Sequence, residues 1–338
     1  MLSLVGIGGA GCRIVDAFYK KEPFSSILSK FSHTKEDITG VAIDTSSDSL
    51  TSLRNIPMEN RVLIGKSRAK GHGTGASVEL GRKIVNEELE LAMNTIRKVN
   101  RDKPDFFFVI AGIGGGTGTG GAGIIADRLK KYYNTPVFGV IILPSLGEGT
   151  HYMKNAYSGF INLSKNFDGV LVQDNNVLTN RGEDITTSRK IITTSTVRFF
   201  NTAEAHEISQ AVKGKVAGFG YMRVKNESMS AKDAIQKLIR DKMYINLDNA
   251  KPEEFYLILR GNLNSFYGEN FAREWIKNKY DAGLNIRMKD ASGSKNLDIA
   301  TMVTGIENIF NVEEETNIEK EKSIPPDLED LLSDIQSL

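Results

Sequence analysis

The chain has 338 residues but only one cysteine, Cys12, and no apolar run long enough to span a membrane. A single cysteine excludes an internal disulfide framework and is typical of a reducing cytoplasm. The start also lacks a basic-then-apolar signal segment, so we expect a soluble cytoplasmic protein with no membrane insertion. Charge of neither sign dominates, with 43 Lys and Arg against 42 Asp and Glu, and nothing favours nucleic acid as the main partner.

Several motifs of nucleotide and metal chemistry are also missing. No glycine run continues into Gly-Lys-Ser/Thr, which excludes a P-loop, and the protein-kinase motifs are absent. His72 and His151 do not stand at metal-ligand spacing, so we predict no metal held by the protein itself. Cys12 is more typical of a small buried residue than of a reactive thiol.

The most informative feature that is present is a run of glycine and threonine from Gly114 to Gly121. It follows an apolar run at Phe106–Ile110 and precedes a helical pattern from Ala122 to Lys131. A strand, a glycine-rich turn and a helix in this order form an arrangement that binds phosphate. Glycine permits positive φ and a close backbone approach, so we expect the N–H groups of this run to converge on an anion.

Short apolar runs alternate with helical patterns in the first half, which predicts a parallel sheet covered by helices on both faces. The fold class is therefore α/β, with a Rossmann-like sheet and a smaller second α/β unit of mixed sheet. The predicted strands are Leu2–Gly6, Ile38–Ile43, Phe106–Gly112, Pro136–Leu143 and Gly169–Gln173, then Val216–Val224, Phe255–Arg260, Leu284–Met288 and Ile299–Thr304. The predicted helices are Gly11–Tyr19, Val78–Val99, Ala231–Lys242 and Glu269–Tyr280.

Four segments follow from this pattern. Residues 1–182 form a nucleotide-binding domain, 183–212 a connecting helix and loop, 213–310 a second domain and 311–338 an acidic tail. The connecting segment is rich in threonine and has poor helix propensity, although Ile185, Ile192, Thr196 and Phe199 share one helical face. The tail ends in leucines at helical spacing, which predicts either a frayed acidic end or a short helix that docks on an adaptor protein.

Two further glycine clusters accompany the central run. The first, Gly6–Gly11, lies between a strand and a helix and fits the dinucleotide fingerprint, with Asp44 where a ribose-binding acid would stand. Taken alone, this cluster favours an NAD(P)-dependent oxidoreductase. That hypothesis leaves the run at 114–121 and the third cluster, Lys70–Ala76, without a role. Three loops from three strand ends instead predict one site that surrounds a polyphosphate.

The run Gly114–Gly120 resembles the signature of the tubulin/FtsZ superfamily, whose members bind GTP between strand-end loops. Within it the chain is most similar to the archaeal CetZ group, through Lys70–Ala76 with Glu79-Leu80-Gly81, and through Gly147–Tyr152 with Asn155-Ala156. The resemblance covers residues 1–178 well and the second unit more loosely. It implies a GTP-binding and GDP-binding cytoskeletal protein that assembles with itself head to tail, for cell division or cell shape.

The resemblance also implies roles for individual residues. Magnesium is expected to be held through the nucleotide phosphates, Glu148 to contact the ribose and Asn175 to read the guanine edge. Asp44 is expected at the ribose or at a metal-bound water. The phosphate loops are expected to consist of Gly8, Gly9, Ala10, Gly11, Cys12 and Arg13, of Gly71, Gly73, Thr74, Gly75 and Ala76, and of Gly114, Gly115, Gly116, Thr117, Gly118, Thr119 and Gly120.

In this superfamily an acidic loop from the next subunit completes the site for GTP hydrolysis. Glu204 and Glu207 have the expected spacing, with Glu207 as the polarising acid and Glu204 as its companion. The segment between Asn176 and Glu204 is shorter than its counterpart in the family, so a member that binds nucleotide without hydrolysing it is the alternative. A third hypothesis is that the two acids merely occupy an exposed helix face.

Overall fold

The computed structural model describes residues 1–20, 38–225, 229–248, 250–263, 268–291, 294, 296–306 and 309. The predicted acidic tail lies outside these residues. The strands are β1 Leu2–Ile7, β2 Ile38–Asp44, β3 Arg61–Leu63, β4 Phe106–Gly112, β5 Val137–Leu143, β6 Val170–Asp174, β7 Val216–Lys225, β8 Glu254–Gly261, β9 Gly283–Asp290 and β10 Asn296–Thr304. The helices are α1 Gly8–Phe18, α2 Ser47–Thr51, α3 Lys66–Ala69, α4 Val78–Glu87, α5 Leu89–Val99, α6 Gly116–Tyr133, α7 Thr150–Leu163, α8 Asn175–Thr179, α9 Ile185–Thr202, α10 Ala205–Val212, α11 Ala231–Asp241 and α12 Glu269–Tyr280.

Within the described residues, the strands form one continuous sheet in the order β3-β2-β1-β4-β5-β6-β7-β10-β8-β9. All strands from β3 to β7 run parallel, and β10 is antiparallel to both β7 and β8. The predicted α/β class, a parallel sheet followed by a smaller mixed part, is confirmed. The two parts are joined by three residue pairs between β6 and β7, starting at Val170 and Val216.

Each face of the sheet buries its own hydrophobic cluster. On one face, α1, α9 and α10 contribute residues such as Phe18, Phe199 and Ile208. On the other, α4, α5, α6, α11 and α12 contribute residues such as Ile84 and Ile276. Both clusters draw residues from the first and the second part of the sheet. In the described part of the chain, no helix is both long and apolar enough to cross a bilayer.

Two helices differ from their predicted extent. The pattern at 78–99 predicts one helix, but the backbone leaves helical geometry at Glu88, with φ of −109°, and forms α4 and α5. The break allows α4 to bury Ile84 and α5 to bury Met93 and Ile96 independently. The short strand β3, with only Val62 buried, was not predicted. Three residues are too few for a periodic pattern to appear.

The threonine-rich segment forms α9 despite its poor propensity. Asp184 caps its start by accepting hydrogen bonds from the backbone N–H groups of Thr186 and Thr187. Thr196 donates its hydroxyl to the carbonyl of Ile192 one turn earlier, which satisfies that group inside the protein. Burial of Phe199 and Phe200 outweighs the small intrinsic cost of the threonines.

Candidate nucleotide site

A cleft with a volume of about 390 Å³ lies at the carboxyl ends of the parallel strands. This volume falls in the range of small-molecule sites, about 300–1,000 Å³. Strand β1 lies between β2 and β4, so the chain moves outward in opposite directions on its two sides. Loops separate at such a switch point and leave a crevice for a ligand.

Two helices begin in this cleft. Helix α1 starts at Gly8 and α6 starts at Gly116, and neither carries an acidic residue in its first turn. Unpaired N–H groups and the helix dipole at these two starts favour an anion. The cleft therefore has two positively polarised helix ends without an acidic side chain of their own.

The glycine run also brings two helices together. We predicted a helix from Ala122, which is wrong, because α6 begins six residues earlier and contains most of the run. A Cβ on Gly120 would lie 2.5 Å from the carbonyl oxygen of Val78, and one on Gly116 would lie 2.2 Å from that of Ser77. Of this run only Gly114 has a positive φ, 115°. The glycines allow α6 to pack directly on the backbone of α4, so that its start lies in the cleft.

The third glycine cluster contains several residues with left-handed backbone. Positive φ angles occur at Lys70, Gly71, Gly73, Gly75 and Ala76. Neighbouring elements hold this conformation, since the Asn155 amide donates to the carbonyl of Ala76 at 2.8 Å. The backbone N–H of Gly73 also donates to the carbonyl of Thr45 at 3.2 Å. Non-glycine residues in this region carry strain, which is typical of binding loops.

Asp44 stands at the end of β2 and is 3% exposed. Its Oδ1 accepts a hydrogen bond from the backbone N–H of Thr45 at 2.7 Å, whereas Oδ2 is buried without a partner. Burial raises the pKa of this carboxyl, and hydrogen bonds from the Thr45 and Ser46 backbone oppose that rise. The unpaired oxygen can accept a hydrogen bond from a ligand or from a water bound to one.

Charged side chains close the other side of the cleft. Arg189 of α9 donates to Glu148 Oε2 at 2.5 Å, and the Asn175 amide lies 3.5 Å from Glu148 Oε1. The pKa of Arg13 is lowered, first by burial and then by the charge of Arg189. Two guanidinium groups near each other favour a bound anion, which would offset both effects. The Oδ1 atom of Asn175 is buried and unpaired.

Most of the residues predicted for the site line the cleft. They are Gly8, Gly9, Ala10, Arg13, Asp44, Gly73, Thr74, Gly75, Ala76, Gly115, Gly116, Thr117, Gly118, Glu148 and Asn175. Others lie behind this lining, namely Gly11, Cys12, Gly71, Gly114, Thr119 and Gly120. The thiol of Cys12 is fully buried against the carbonyl of Ile43, and burial raises its pKa well above the ordinary value. The Thr119 hydroxyl is hydrogen-bonded to the loop itself, at the N–H of Gly114 and the carbonyl of Gly115.

The cleft also contains residues that were not predicted. Helix α9 contributes Arg189, Ile192 and Thr193, and the segment after β2 contributes Ser46 and Ser49. Ser46 caps α2 by accepting from the N–H of Ser49, a pattern visible in the sequence as Ser-x-x-Ser. Ile192 belongs to the buried helical face that was predicted, but Arg189 and Thr193 gave no comparable signal, because they are polar residues outside that face.

Glu204 and Glu207 lie outside the cleft, at the start of α10. Lys289 of β9 lies 2.8 Å from Glu207 Oε2 and 3.2 Å from Glu204 Oε1. Helix α9 separates these acids from the cleft. Its last turn packs near the end of α1 opposite to the cleft, where Phe200 contacts Phe18 and Phe108.

Across the described ranges, no group of three or more His, Cys, Asp or Glu side chains is placed to hold a metal ion. His72 lines the cleft, and His151 lies beside Asn155 on α7. A cation in the cleft would therefore need ligands other than such a cluster.

Comparison with known proteins agrees with this geometry. The GTPase domain of the Tubulin/FtsZ family matches residues 2–182. The tubulin-like protein CetZ1 of Haloferax volcanii is 39% identical over 186 residues, or 54% of this chain and 45% of that protein. The chain thus matches about half the length of the curated relatives.

Solved structures show the same fold. CetZ1 from Haloferax volcanii, solved as a GDP-bound monomer, aligns with a TM-score of 0.79 and 28% identity over 95% of this chain and 99% of that one. CetZ2 from the same organism, solved as a GTPγS-bound protofilament, aligns with a TM-score of 0.77 and 24% identity over 95% and 99% of the two chains. The resemblance seen in the glycine loops is confirmed. Because the family match extends over more than half of its residues, the chain belongs to the Tubulin/FtsZ family.

Proposed function

We propose that this chain binds GTP in the cleft, assembles head to tail, and hydrolyses GTP slowly where the acidic loop of one copy meets the cleft of the next. The observation that carries the proposal is that the cleft lies beside the first half of α9, whereas the acid loop follows the end of this helix. Thr193 lines the cleft, and Glu204 follows the end of the helix. At 1.5 Å per residue the two are separated by about 15 Å.

This separation prevents the acids from serving the cleft of their own chain. A general base must come within about 3 Å of the water that it activates, directly or through one further water. A second copy stacked in the same direction would bring its acids to the open cleft. Such a contact joins different surfaces and does not close on itself, so it generates a filament.

Guanine nucleotide is the ligand best supported for the cleft. The family match covers a GTPase domain, and CetZ1 at 28% identity was solved with GDP. Two helix starts and the left-handed loop would surround the phosphates, while Glu148 and Asn175 would face the ribose and base. The unpaired Oδ2 of Asp44 would accept a hydrogen bond from a water on magnesium, which the phosphates would hold. We place this activity in the cytoplasm, in cell division or cell-shape control.

Replacing Glu207 with Gln tests the catalytic role. We expect GTP turnover at filament-forming concentration to fall about a hundred-fold, because the water loses its base, while nucleotide affinity stays unchanged. The matched partner is Gly115→Phe. Gly115 has an ordinary φ of −73° and no atom within 4 Å of an added Cβ, so the ring would fill the cleft without disturbing the fold.

Mixing the two inactive variants shows whether the acids act on the cleft of a neighbouring copy or on the cleft of their own chain. The cleft of Glu207→Gln would meet the intact acids of Gly115→Phe, and turnover should reappear in the mixture. If the mixture stays inactive while both variants still assemble, completion of the site by a neighbour is wrong. If Glu207→Gln alone keeps full activity, the acid assignment is wrong.

One observation favours the alternative of a member that binds nucleotide without hydrolysing it. Lys289 pairs with both acids inside the same chain and neutralises part of their charge. Under this alternative, extracted nucleotide would be intact GTP. GDP in the purified protein would support hydrolysis, and a change in NAD(P)H fluorescence on titration would instead support the oxidoreductase hypothesis.

A further inference from the structure

The acid pair Glu204 and Glu207 is contacted by a third charged residue, Lys289, on strand β9. The ammonium group of Lys289 lies between Glu207 Oε2, at 2.8 Å, and Glu204 Oε1, at 3.2 Å. Resting on the function proposed above, we propose that Lys289 is a positioning residue for hydrolysis. It holds the two carboxylates in one arrangement, which each copy presents to the nucleotide of the next.

The contact fixes which oxygen is presented. Lys289 and the backbone N–H of Glu204, at 3.1 Å, both donate to Oε2 of Glu207. Oε1 is therefore the oxygen left to accept a proton from water. A carboxylate held by two donors loses less rotamer freedom when the filament forms, and the geometry is set before the reaction.

The sheet holds the loop at a second point. Arg260 of β8 is the register partner of Lys289 on β9 and donates to the carbonyl of Asn201, near the end of α9. Arg260 thereby fixes the backbone that leads into the acid loop, and Lys289 fixes its side chains. The parallel strands β8 and β9 thus form a platform for both.

The net charge of the three side chains also favours a positioning role for Lys289 over a role in which it only neutralises the two acids. Two carboxylates and one ammonium leave the group with a net charge of −1, so it can still attract a proton. Each carboxylate also accepts a hydrogen bond from the backbone N–H of the other residue, in a capping box at the start of α10. Without Lys289 this box would still hold the acids near the helix start, but their like charges would repel each other. Glu207 is 25% exposed and Glu204 51% exposed, so both remain accessible to a neighbouring copy.

A purely structural role and a positioning role of Lys289 predict different effects when this residue is replaced. Lys289 is 23% exposed, and ion pairs near the surface add little to stability. Lys289→Met should therefore unfold at nearly the same denaturant concentration as the original chain. Its kcat for GTP at filament-forming concentration should fall about ten-fold, with KM and nucleotide affinity unchanged.

Two further variants are matched to this one. Lys289→Arg should recover part of the lost kcat, since a guanidinium can donate to both carboxylates. Lys215→Met removes the same charge from a surface pair with Glu253, at 2.6 Å, and should leave kcat unchanged. In a mixture with Gly115→Phe, the cleft of Lys289→Met meets intact acids, so turnover should rise towards the level of the original chain.

Several outcomes would overturn the role of Lys289. These are an unchanged kcat in Lys289→Met, a raised kcat that would indicate masking of the acids, or an arginine variant no better than the methionine one. Comparison with Glu207→Gln distinguishes failure of the lysine role from failure of the proposed function. If Glu207→Gln loses activity while Lys289→Met does not, the acid pair stands and only the lysine role is rejected. If neither loses activity, the acid pair itself is rejected.

Discussion

At the scale of single residues, Asp44 shows how the site differs from an ordinary surface. Its carboxyl is almost fully buried, yet one oxygen has no partner. Burial raises its pKa, so the folded protein binds the proton more tightly than the unfolded chain does. The stability linked to that proton is present at low pH and is lost as the pH rises through the raised pKa.

Asp44→Asn should therefore stabilise the nucleotide-free protein at alkaline pH. We expect a gain of about 1 kcal/mol in the free energy of unfolding at pH 8, because an unpaired buried charge is removed, and a smaller difference at pH 4. Urea unfolding at both values measures it. Asp102→Asn, at an exposed position, is the control and should show no such trend. A gain that is equal at both pH values would contradict the burial argument.

At the scale of elements, the packing of α6 on α4 explains the composition of the signature run. The glycines were predicted to contact a ligand, and several do line the cleft. Gly120 and Gly121 instead face α4, where an added Cβ would meet Val78 or Val85. The same run therefore serves both the ligand cleft and the close packing of two helices. The sequence alone could not separate these two roles, because both require glycine.

Gly120→Ala tests the packing demand. Alanine ordinarily stabilises a helix interior by about 1 kcal/mol relative to glycine. Here we expect a net loss of 1 kcal/mol or more, since contact at 2.5 Å with the α4 backbone forces the helices apart. Gly115→Ala is the matched control, with no atom within 4 Å of the new Cβ, and should keep its stability. Equal denaturation midpoints for the two variants would refute the close-packing role.

Helix α9 shows which features could be predicted from the sequence and which could not. Of the four residues predicted to share one helical face, Ile192, Thr196 and Phe199 are buried, whereas Ile185 at the start of the helix is only half-buried. The position of Arg189 in the cleft was not predicted, because it depends on an ion pair with Glu148, which is distant in sequence. Lys289 reaches the acid loop for a similar reason. Polar contacts between residues far apart in sequence leave no periodic signal, whereas burial does.

At the scale of the whole molecule, one sheet and two hydrophobic clusters run through both parts of the chain. The strand runs and the α/β class followed from apolar patterning. The pairing of β6 with β7 did not, because it depends on how α9 and α10 return the chain. We therefore expect the two parts to unfold together, since separating them would expose core residues on both faces of the sheet.

The single tryptophan, Trp275 in α12, reports on the second part and lies far along the sheet from the cleft. With GDP at 100 times its dissociation constant, the free energy of unfolding should rise by about 2.7 kcal/mol. Trp275 fluorescence and far-UV circular dichroism should shift to the same extent. ATP at equal concentration serves as the control. If circular dichroism shifts with GDP while the tryptophan transition stays in place, the two parts unfold separately.

The distance between the cleft, beside the first half of α9, and the acids that follow this helix has a further consequence under the proposed function, because it relates activity to the number of copies in a filament. In a filament completed in this way, the last copy at one end always lacks a neighbour to supply acids. A lone chain then has no complete site, a pair has one, and each added copy adds one more. Activity per chain would rise with concentration and level off as filaments lengthen, so GTP turnover would itself report how many ends a solution contains.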